Sequence, residues 1–230
     1  MPSTPRSTAG RRARTPDSDA RGQLLDAAIA LFAERGIANT TVAQIAAAGH
    51  VTSAMVHYWF DTRERLLDAV VAERLAPLFH AIWDAADVEL GAPLALIQAI
   101  VQRMFDVTGR TPWLPSLWLR EIVNEGGLLR EQALRHIPVK RVAGFGQNIA
   151  RGQQSGEVNE GIEPMLLFNS ILALVMLPQA TAKIWRRINP TLTLDRATLE
   201  RHVGTLLMHG VAGRASDAAR RPRATSRRTS

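Results

Sequence analysis

Apolar residues recur at helical spacing along most of this chain. Leu24, Ala28 and Phe32 stand four apart, with Leu25 and Ile29 beside them. Positions i, i+4 and i+8 share one side of an α-helix, so this stretch is expected to bury one face. Asp17 and Ser18 ahead of it have the short acceptor side chains that close a helix N-terminus, and Gly36 behind it suits a helix end. Thr41 precedes a second, shorter period with Val42, Ile45 and Ala46 on one side and Gly49 at its end. Thr52 caps a third, reaching about Trp59. Asp61 or Thr62 caps a fourth that begins Arg63-Glu64-Arg65-Leu66-Leu67 and is expected to bend or end at Pro77, which lacks an amide proton.

Downstream the periods lengthen. Residues 93–107, 112–124, 128–151, 163–183 and 195–211 read as helices, with Pro138 a candidate split in the third. Gly91, Gly109, Gly126, Gly161 and Pro190 mark breaks. No alternating runs closed by Asn-Gly or Asp-Gly appear, which predicts an all-α fold. Residues 165–177 are apolar almost all round, the pattern of a helix covered on several sides, and too short for a bilayer.

Composition narrows the class. Hydrophobic residues make up 46% and charged ones 21%, the balance of a globular protein with a real core. Cysteine is absent, which excludes disulfides, thiolate metal sites and cysteine redox sensing. The basic N-terminus leads into no apolar run of signal-peptide type, and no span-length apolar segment exists, so a cytoplasmic protein without membrane contact is expected. The net charge of +7 is uneven: residues 1–16 carry +4, residues 214–230 carry +5, and the interval between is mildly acidic. The two ends are rich in Ser, Thr, Pro and Arg, a composition that buries no core, and are expected to be disordered. They serve either as solubilising ends or as contacts to a polyanion.

The expected organisation is therefore a basic arm (1–16), a compact N-terminal helical unit (17–67), a larger helical domain (68–213) and a basic tail (214–230). The second and third short helices have the dimensions of a helix-turn-helix, whose second helix enters a DNA major groove. With Ile45, Val51, Val56 and Phe60 inward, Thr52, Ser53, Met55, His57 and Tyr58 are left outward, approached by Thr41 and Gln44 from the helix in front. This explains the crowd of rings in HVTSAMVHYWF. Phe60 anchors, His57 and Tyr58 present polar tips toward phosphates, and Trp59 is open to either role.

The segments LLDAAIALFAERGIANTTVAQIA, VTSAMVHYWF and DTRERLL, within residues 21–67, resemble the DNA-binding domain of the TetR family of bacterial repressors. By that resemblance Thr41, Gln44, Thr52, Ser53, Ala54, Met55, His57, Tyr58 and Arg63 inherit DNA-facing positions. Three positions depart from the family pattern. Gly49-His50 stands where Ala-Gly is usual, His57 where tyrosine is, and Arg63 where lysine is. The shifted glycine leaves His50 to take a left-handed backbone.

The resemblance makes the larger domain an effector-binding and dimerisation domain. Trp83, Met104, Phe105, Trp113, Leu117, Trp118, Glu121, Asn124, Phe168 and Asn169 are its candidate pocket residues, although a tryptophan stripe at helical spacing is more often core. Glu121 in such a pocket would favour a cationic or hydrogen-bond-donating effector. Ile171, Leu174 and Val175, with Leu199, His202, Val203 and Leu206, form the candidate dimer interface. Gly144-Phe145-Gly146 lacks the glycine spacing and the strand of a dinucleotide site. His202 and His209, seven apart, lack metal-ligand spacing, and no catalytic site is expected. The resulting expectation is a homodimeric repressor of a palindromic operator, without cofactor or metal, released by a small molecule. The alternative is a helical ligand-binding protein of the same fold that does not regulate through DNA.

Overall fold

A computed structural model of the chain describes residues 16–83 and 92–213, with side chains from residue 19 onward. The basic arm up to residue 15, the basic tail and the expected break at Gly91 lie outside the described residues. Eleven helices, and no strand, occur among those described. The first three are α1 (Pro16–Arg35), α2 (Val42–Ala48) and α3 (Ser53–Phe60). Leu24, Leu25, Ala28, Ile29 and Phe32 of α1 are all buried, as their spacing predicts. Asp17 and Ser18 fall inside α1 rather than before it.

Helix α4 covers residues 63–83 without interruption, as Arg63–Val70, a π-turn at Val71–Leu75, and Ala76–Trp83. Of the two outcomes expected at Pro77, a bend or an end, the end does not occur. In the wider turn the Ala76 N–H donates to the Val71 carbonyl, five residues back. The Glu73 carbonyl, which an amide at position 77 would have met, instead accepts from the Arg74 guanidinium at 3.3 Å. The expected domain boundary at residue 67 thus falls within a continuous helix.

The larger domain contains α5 (Pro93–Arg110), α6 (residues 114–123) and α7 (Arg130–His136). It continues with α8 (Val139–Gln154), α9 (Pro164–Ala180), α10 (Ala182–Ile188) and α11 (Arg196–Val211). Helix α6 changes to a π-turn at Leu119–Val123. Pro138 does separate α7 from α8. Gly109 breaks nothing, since α5 runs on to Arg110. The predicted single helix at 163–183 is instead α9 and α10, bent by 60° at Thr181. No single helix among the described residues is long and apolar enough to cross a membrane.

One hydrophobic core runs through both units, from Leu24 in α1 to Val211 in α11. Helix α9 lies centrally, packed on α5, α6, α8 and α11. Its apolar character is only partly consumed there. Leu167, Ile171, Val175 and Met176 are buried, while Met165, Leu166 and Leu177 are about half exposed. Gly146 of the Gly-Phe-Gly stretch sits in the middle of α8, where a Cβ would come 2.4 Å from Sδ of the half-exposed Met165 side chain.

The Gly49-His50 pair works as its order suggests. His50 takes a positive φ of 56°, and Gly49 does not. Gly49 is required for another reason: a Cβ there would lie 2.7 Å from Leu24 Cδ1 and 3.2 Å from Leu24 Cα, where α2 ends against α1. Gly49→Ala is expected to destabilise the protein by about 1–3 kcal/mol, the usual effect of overpacking, read as a lowered denaturant midpoint.

Candidate DNA-binding surface and effector cavity

Helix α3 is held by its inward residues and leaves its outer face to solvent. Val56 and Phe60 are buried with Ile45 of α2, and Val51 is half-buried. Thr52 Oγ1 accepts from the Met55 N–H at 3.3 Å, capping the helix. Thr52, Ser53, Ala54 and His57 are exposed, Met55 is half-buried, and Tyr58 is 78% exposed. A large ring so open to water, on a helix anchored from behind, is free to meet a partner. The His57 ring Nδ1 lies 3.3 Å from the Asp61 carbonyl across the turn into α4. Trp59 is half-buried against the core, and its indole N–H finds no acceptor among the described residues. The structure thus places it with the scaffold.

The three remaining residues expected to face DNA have local partners. Thr41 and Gln44 form a capping box: Thr41 Oγ1 accepts from the Gln44 N–H at 3.2 Å, and Gln44 Oε1 from the Thr41 N–H at 2.8 Å. Both side chains are exposed, so contact to DNA would have to use the groups the cap leaves over. Arg63 also has a part in the scaffold. It is half-buried, and its guanidinium donates to the Ile37 carbonyl in the α1–α2 connection. The charge sits at a helix N-terminus, as expected, but braces the unit from within.

The other side of that connection is held by the larger domain. Gly36, at a φ of 83°, ends α1 and leaves its last carbonyls to find donors elsewhere. Arg120 in the π-turn of α6 donates to the Phe32 and Ala33 carbonyls. Glu121 beside it is 5% exposed and accepts from the Ile37 N–H at 3.1 Å and the Leu128 N–H at 3.4 Å. Ile37 is therefore held at its amide by one domain and at its carbonyl by the other.

A second contact between the units is ionic. Arg21 of α1 meets Glu73 of α4 through two hydrogen bonds of 2.6 and 2.7 Å and lies 4.9 Å over the Phe60 ring. Hydrogen bonding from Arg21, joined by its charge, holds the Glu73 carboxyl below the usual glutamate range although burial opposes this. That contribution is present above the unfolded glutamate value and is lost as pH falls through the lowered folded one. The pair is substantially exposed, so its contribution is small.

Between α4, α5, α6, α8 and α9 lies an apolar cavity of about 280 Å³. Trp83, Met104, Trp118, Phe168 and Asn169, five of the residues expected at a pocket, line it. The ring of Phe79 meets Trp118 edge-on at 5.5 Å, and Trp83 lies 4.8 Å from Phe168. Five others do not line it. Phe105 and Leu117 are fully buried in the core, and Trp113 packs at the start of α6. Asn124 is exposed where α6 ends, and the Glu121 carboxylate is committed to main-chain amides. The cationic preference drawn from Glu121 thereby loses its basis, because no charged side chain among the described residues lines the cavity. Its polar lining is Thr108, buried on α5, and Asn169. Phe79, Ile82, Val107, Thr108 and Leu114 also line it and were not singled out from the sequence. Phe79 and Trp83, four apart in α4, are the one signal that the sequence offered.

The expected dimer residues divide by face. Ile171, Val175, Leu199 and Val203 are buried within the subunit, packing α9 and α11 on their neighbours, and Leu174 is half-buried. His202 and Leu206 face outward, Leu206 50% exposed. The outward apolar stripe is instead Leu166, Ala173 and Leu177 on α9 with Leu206 on α11.

Residues 24–70 match the sequence profile of the bacterial regulatory proteins of the tetR family. The chain is 28% identical over 125 residues to the HTH-type transcriptional regulator BetI of Paraburkholderia phymatum, covering 53% of this chain and 62% of that one. It is likewise 28% identical over 125 residues to BetI of Burkholderia thailandensis, covering 53% and 63%. The match thus spans about three-fifths of the length of these curated relatives. Among solved structures, the fold is similar to the ketosteroid transcriptional regulator KstR2 of Mycobacterium tuberculosis, with a TM-score of 0.65 at 19% identity, over 88% of this chain and 99% of that one. It is also similar to the transcriptional regulator FadR of Bacillus subtilis in complex with stearoyl-CoA, at 0.63 and 20% identity, over 83% and 98%.

Arg63→Ala is expected to cost about 1–2 kcal/mol of stability in urea unfolding, because a part-buried carbonyl loses a charged donor. A residue that only touched DNA would leave that midpoint where it is.

Proposed function

Residues 24–70 make this chain a member of the TetR family of bacterial regulatory proteins, and from that membership we propose a DNA-binding transcriptional repressor that works as a homodimer. The observation that carries the reading is the outer face of α3, with Thr52, Ser53, Ala54, His57 and Tyr58 exposed on a helix fixed by buried Val56 and Phe60. The relatives and neighbours named above are transcriptional regulators, which supports regulation rather than catalysis.

Helix α3 contains no Lys or Arg, so the bidentate arginine contact to guanine is not available from it. Readout then leans on Ala54 and Met55 against thymine methyls, with the Thr52 and Ser53 hydroxyls assisting. Affinity must come largely from elsewhere, and Arg11, Arg12 and Arg14 of the N-terminal arm supply the charge to meet phosphates. The outward stripe of Leu166, Ala173, Leu177 and Leu206 suits a second copy across a two-fold axis. Such a dimer sets two recognition helices about 34 Å apart, one turn of DNA, and calls for a palindromic operator.

The cavity would hold the effector that releases the dimer. A dry cavity of ~150 Å³ takes one benzene ring, so 280 Å³ suits a molecule of about two rings. With no charged side chain among the described lining residues and one buried hydroxyl, at Thr108, the favoured effector is uncharged and mostly apolar with a single polar group. The phosphates of a CoA thioester, such as that in the Bacillus subtilis FadR complex, would find no charged partner among the described residues that line this cavity.

Selection from random DNA by the full-length protein should enrich an inverted repeat with half-site centres about 10 base pairs apart. Enrichment of no common sequence would end the reading. On the enriched DNA, Tyr58→Ala should bind about tenfold more weakly, a loss of about 1.4 kcal/mol, with an unchanged melting temperature. An unaltered affinity would take Tyr58 out of the interface.

Leu206→Glu should sediment as a monomer and bind operator poorly, because a charge then stands in an apolar contact. A dimer that still binds DNA would place the interface elsewhere. Naphthalene and 2-naphthol, tested by tryptophan fluorescence, should bind free protein more tightly than the operator complex. Equal affinities would end the effector reading.

A further inference from the structure

Two π-turns lie among the described residues, at Val71–Leu75 in α4 and Leu119–Val123 in α6, and they share a plan. Each belongs to a helix that also walls the cavity. Helix α4 supplies Phe79, Ile82 and Trp83 beyond its π-turn, and α6 supplies Leu114 and Trp118 just before its own. Each π-turn also presents an adjacent acid and base to α1. Glu73 and Arg74 meet Arg21 and Asp26, while Arg120 and Glu121 meet the main chain at Phe32, Ala33 and Ile37. A π-turn holds one residue more than an α-turn needs, so a change in its register lets the helix slide by about one residue's rise, 1.5 Å. In both helices the place of slack lies where the cavity wall meets α1.

Energetics separates the two. The Arg21–Glu73 and Arg74–Asp26 pairs are partly exposed ion pairs, a type that contributes little, and the Gly22 carbonyl that Arg74 also meets at 2.8 Å lies inside α1, where helix geometry already supplies a donor. Glu121 is buried, and its partners include the amide of fully buried Ile37, so displacing the carboxylate leaves an N–H without an acceptor. Arg120 likewise serves α1 carbonyls that would otherwise lack a charged donor. Displacement here is costly enough to be felt in the DNA-binding unit.

We propose that Arg120 and Glu121 are the positioning residues through which occupancy of the cavity changes the setting of that unit, the α6 π-turn being the element that yields. The inference rests on the effector reading. A molecule seated against Leu114 and Trp118 pushes on the start of α6, and Trp118 is followed directly by the π-turn. As the turn shifts, Arg120 and Glu121 lose their register with the end of α1 and with Ile37. The Arg63 contact carries that change to the start of α4, and Phe32 and Ile45 in the shared core carry it to α2 and α3. The long helix α4 then follows rather than drives.

The test replaces the effector by a side chain, so that it requires neither a ligand nor an operator. Val107→Phe fills the cavity from α5, and Asn169→Trp fills it from α9 at an exposed position should the first fail to fold. Amide hydrogen exchange of residues 36–45 is measured in full-length protein for each, with and without Arg120→Met, and with Arg120→Lys as the conservative variant. Filling the cavity is expected to speed exchange in this segment about tenfold, within the usual range for coupled sites, in the parent protein. The effect should shrink below about twofold with Arg120→Met and return in part with Arg120→Lys, which keeps one cationic donor. Glu73→Gln, which alters the exposed pair, should leave the tenfold effect in place. If filling the cavity leaves exchange at 36–45 unchanged, or speeds it equally with Arg120→Met, the assignment is overturned. Because no DNA or ligand enters this measurement, that failure is separate from a failure of naphthalene or 2-naphthol to release operator.

Discussion

The end of α1 is the constraint on which the rest of the molecule hangs. A helix leaves its last carbonyls without intrahelical donors, and here those groups sit between two domains instead of in water. Phe32 accepts from Gly36 and Arg120, Gly36 from Thr40, and the Ile37 peptide is held at both ends by Glu121 and Arg63. Because a buried peptide group must find partners, the smaller unit cannot rotate on the larger without breaking several of these bonds together. The exposed ion pairs along α1 add orientation at little energetic weight.

The continuous core gives that constraint its reach. Residues of α1 and α4 pack in the same cluster as the cavity walls of α5, α6 and α9. Interiors packed this closely transmit displacement instead of absorbing it. Slack exists chiefly where the helices depart from regular geometry. The two π-turns and the 60° bend between α9 and α10 are such places.

The outer surface carries the opposite logic. Helix α3 spends its buried side on two anchors and keeps a neutral, ring-bearing face open, while positive charge is concentrated toward the ends of the chain. Under the proposed function, shape and methyl contacts on the helix would supply specificity, and electrostatic attraction from separate segments would supply affinity. The half-exposed leucines of α9 and α11 are likewise a surface that a lone subunit leaves uncovered.

The helices of the first unit were legible in the sequence because their information is local. Periodic apolar residues, Thr41 and Thr52 as caps, and the shift of glycine to position 49 each act within one turn of chain, and His50 takes the positive φ that this shift implies. The match to the TetR pattern was legible there for the same reason. What tertiary structure decided lies in contacts far apart in sequence. Arg63 looked like a DNA contact and Glu121 like a pocket residue, yet Ile37, 26 and 84 residues away from them, engages both. Helix α4 outlasts Pro77 because a π-turn and the Arg74 side chain supply what the ring removes. An apolar stripe in sequence says that a face is buried, but not against what. Only packing could assign Ile171, Val175, Leu199 and Val203 to the subunit's own core and leave Leu206 outside, since helical spacing fixes the angle between side chains and not the direction of the neighbour.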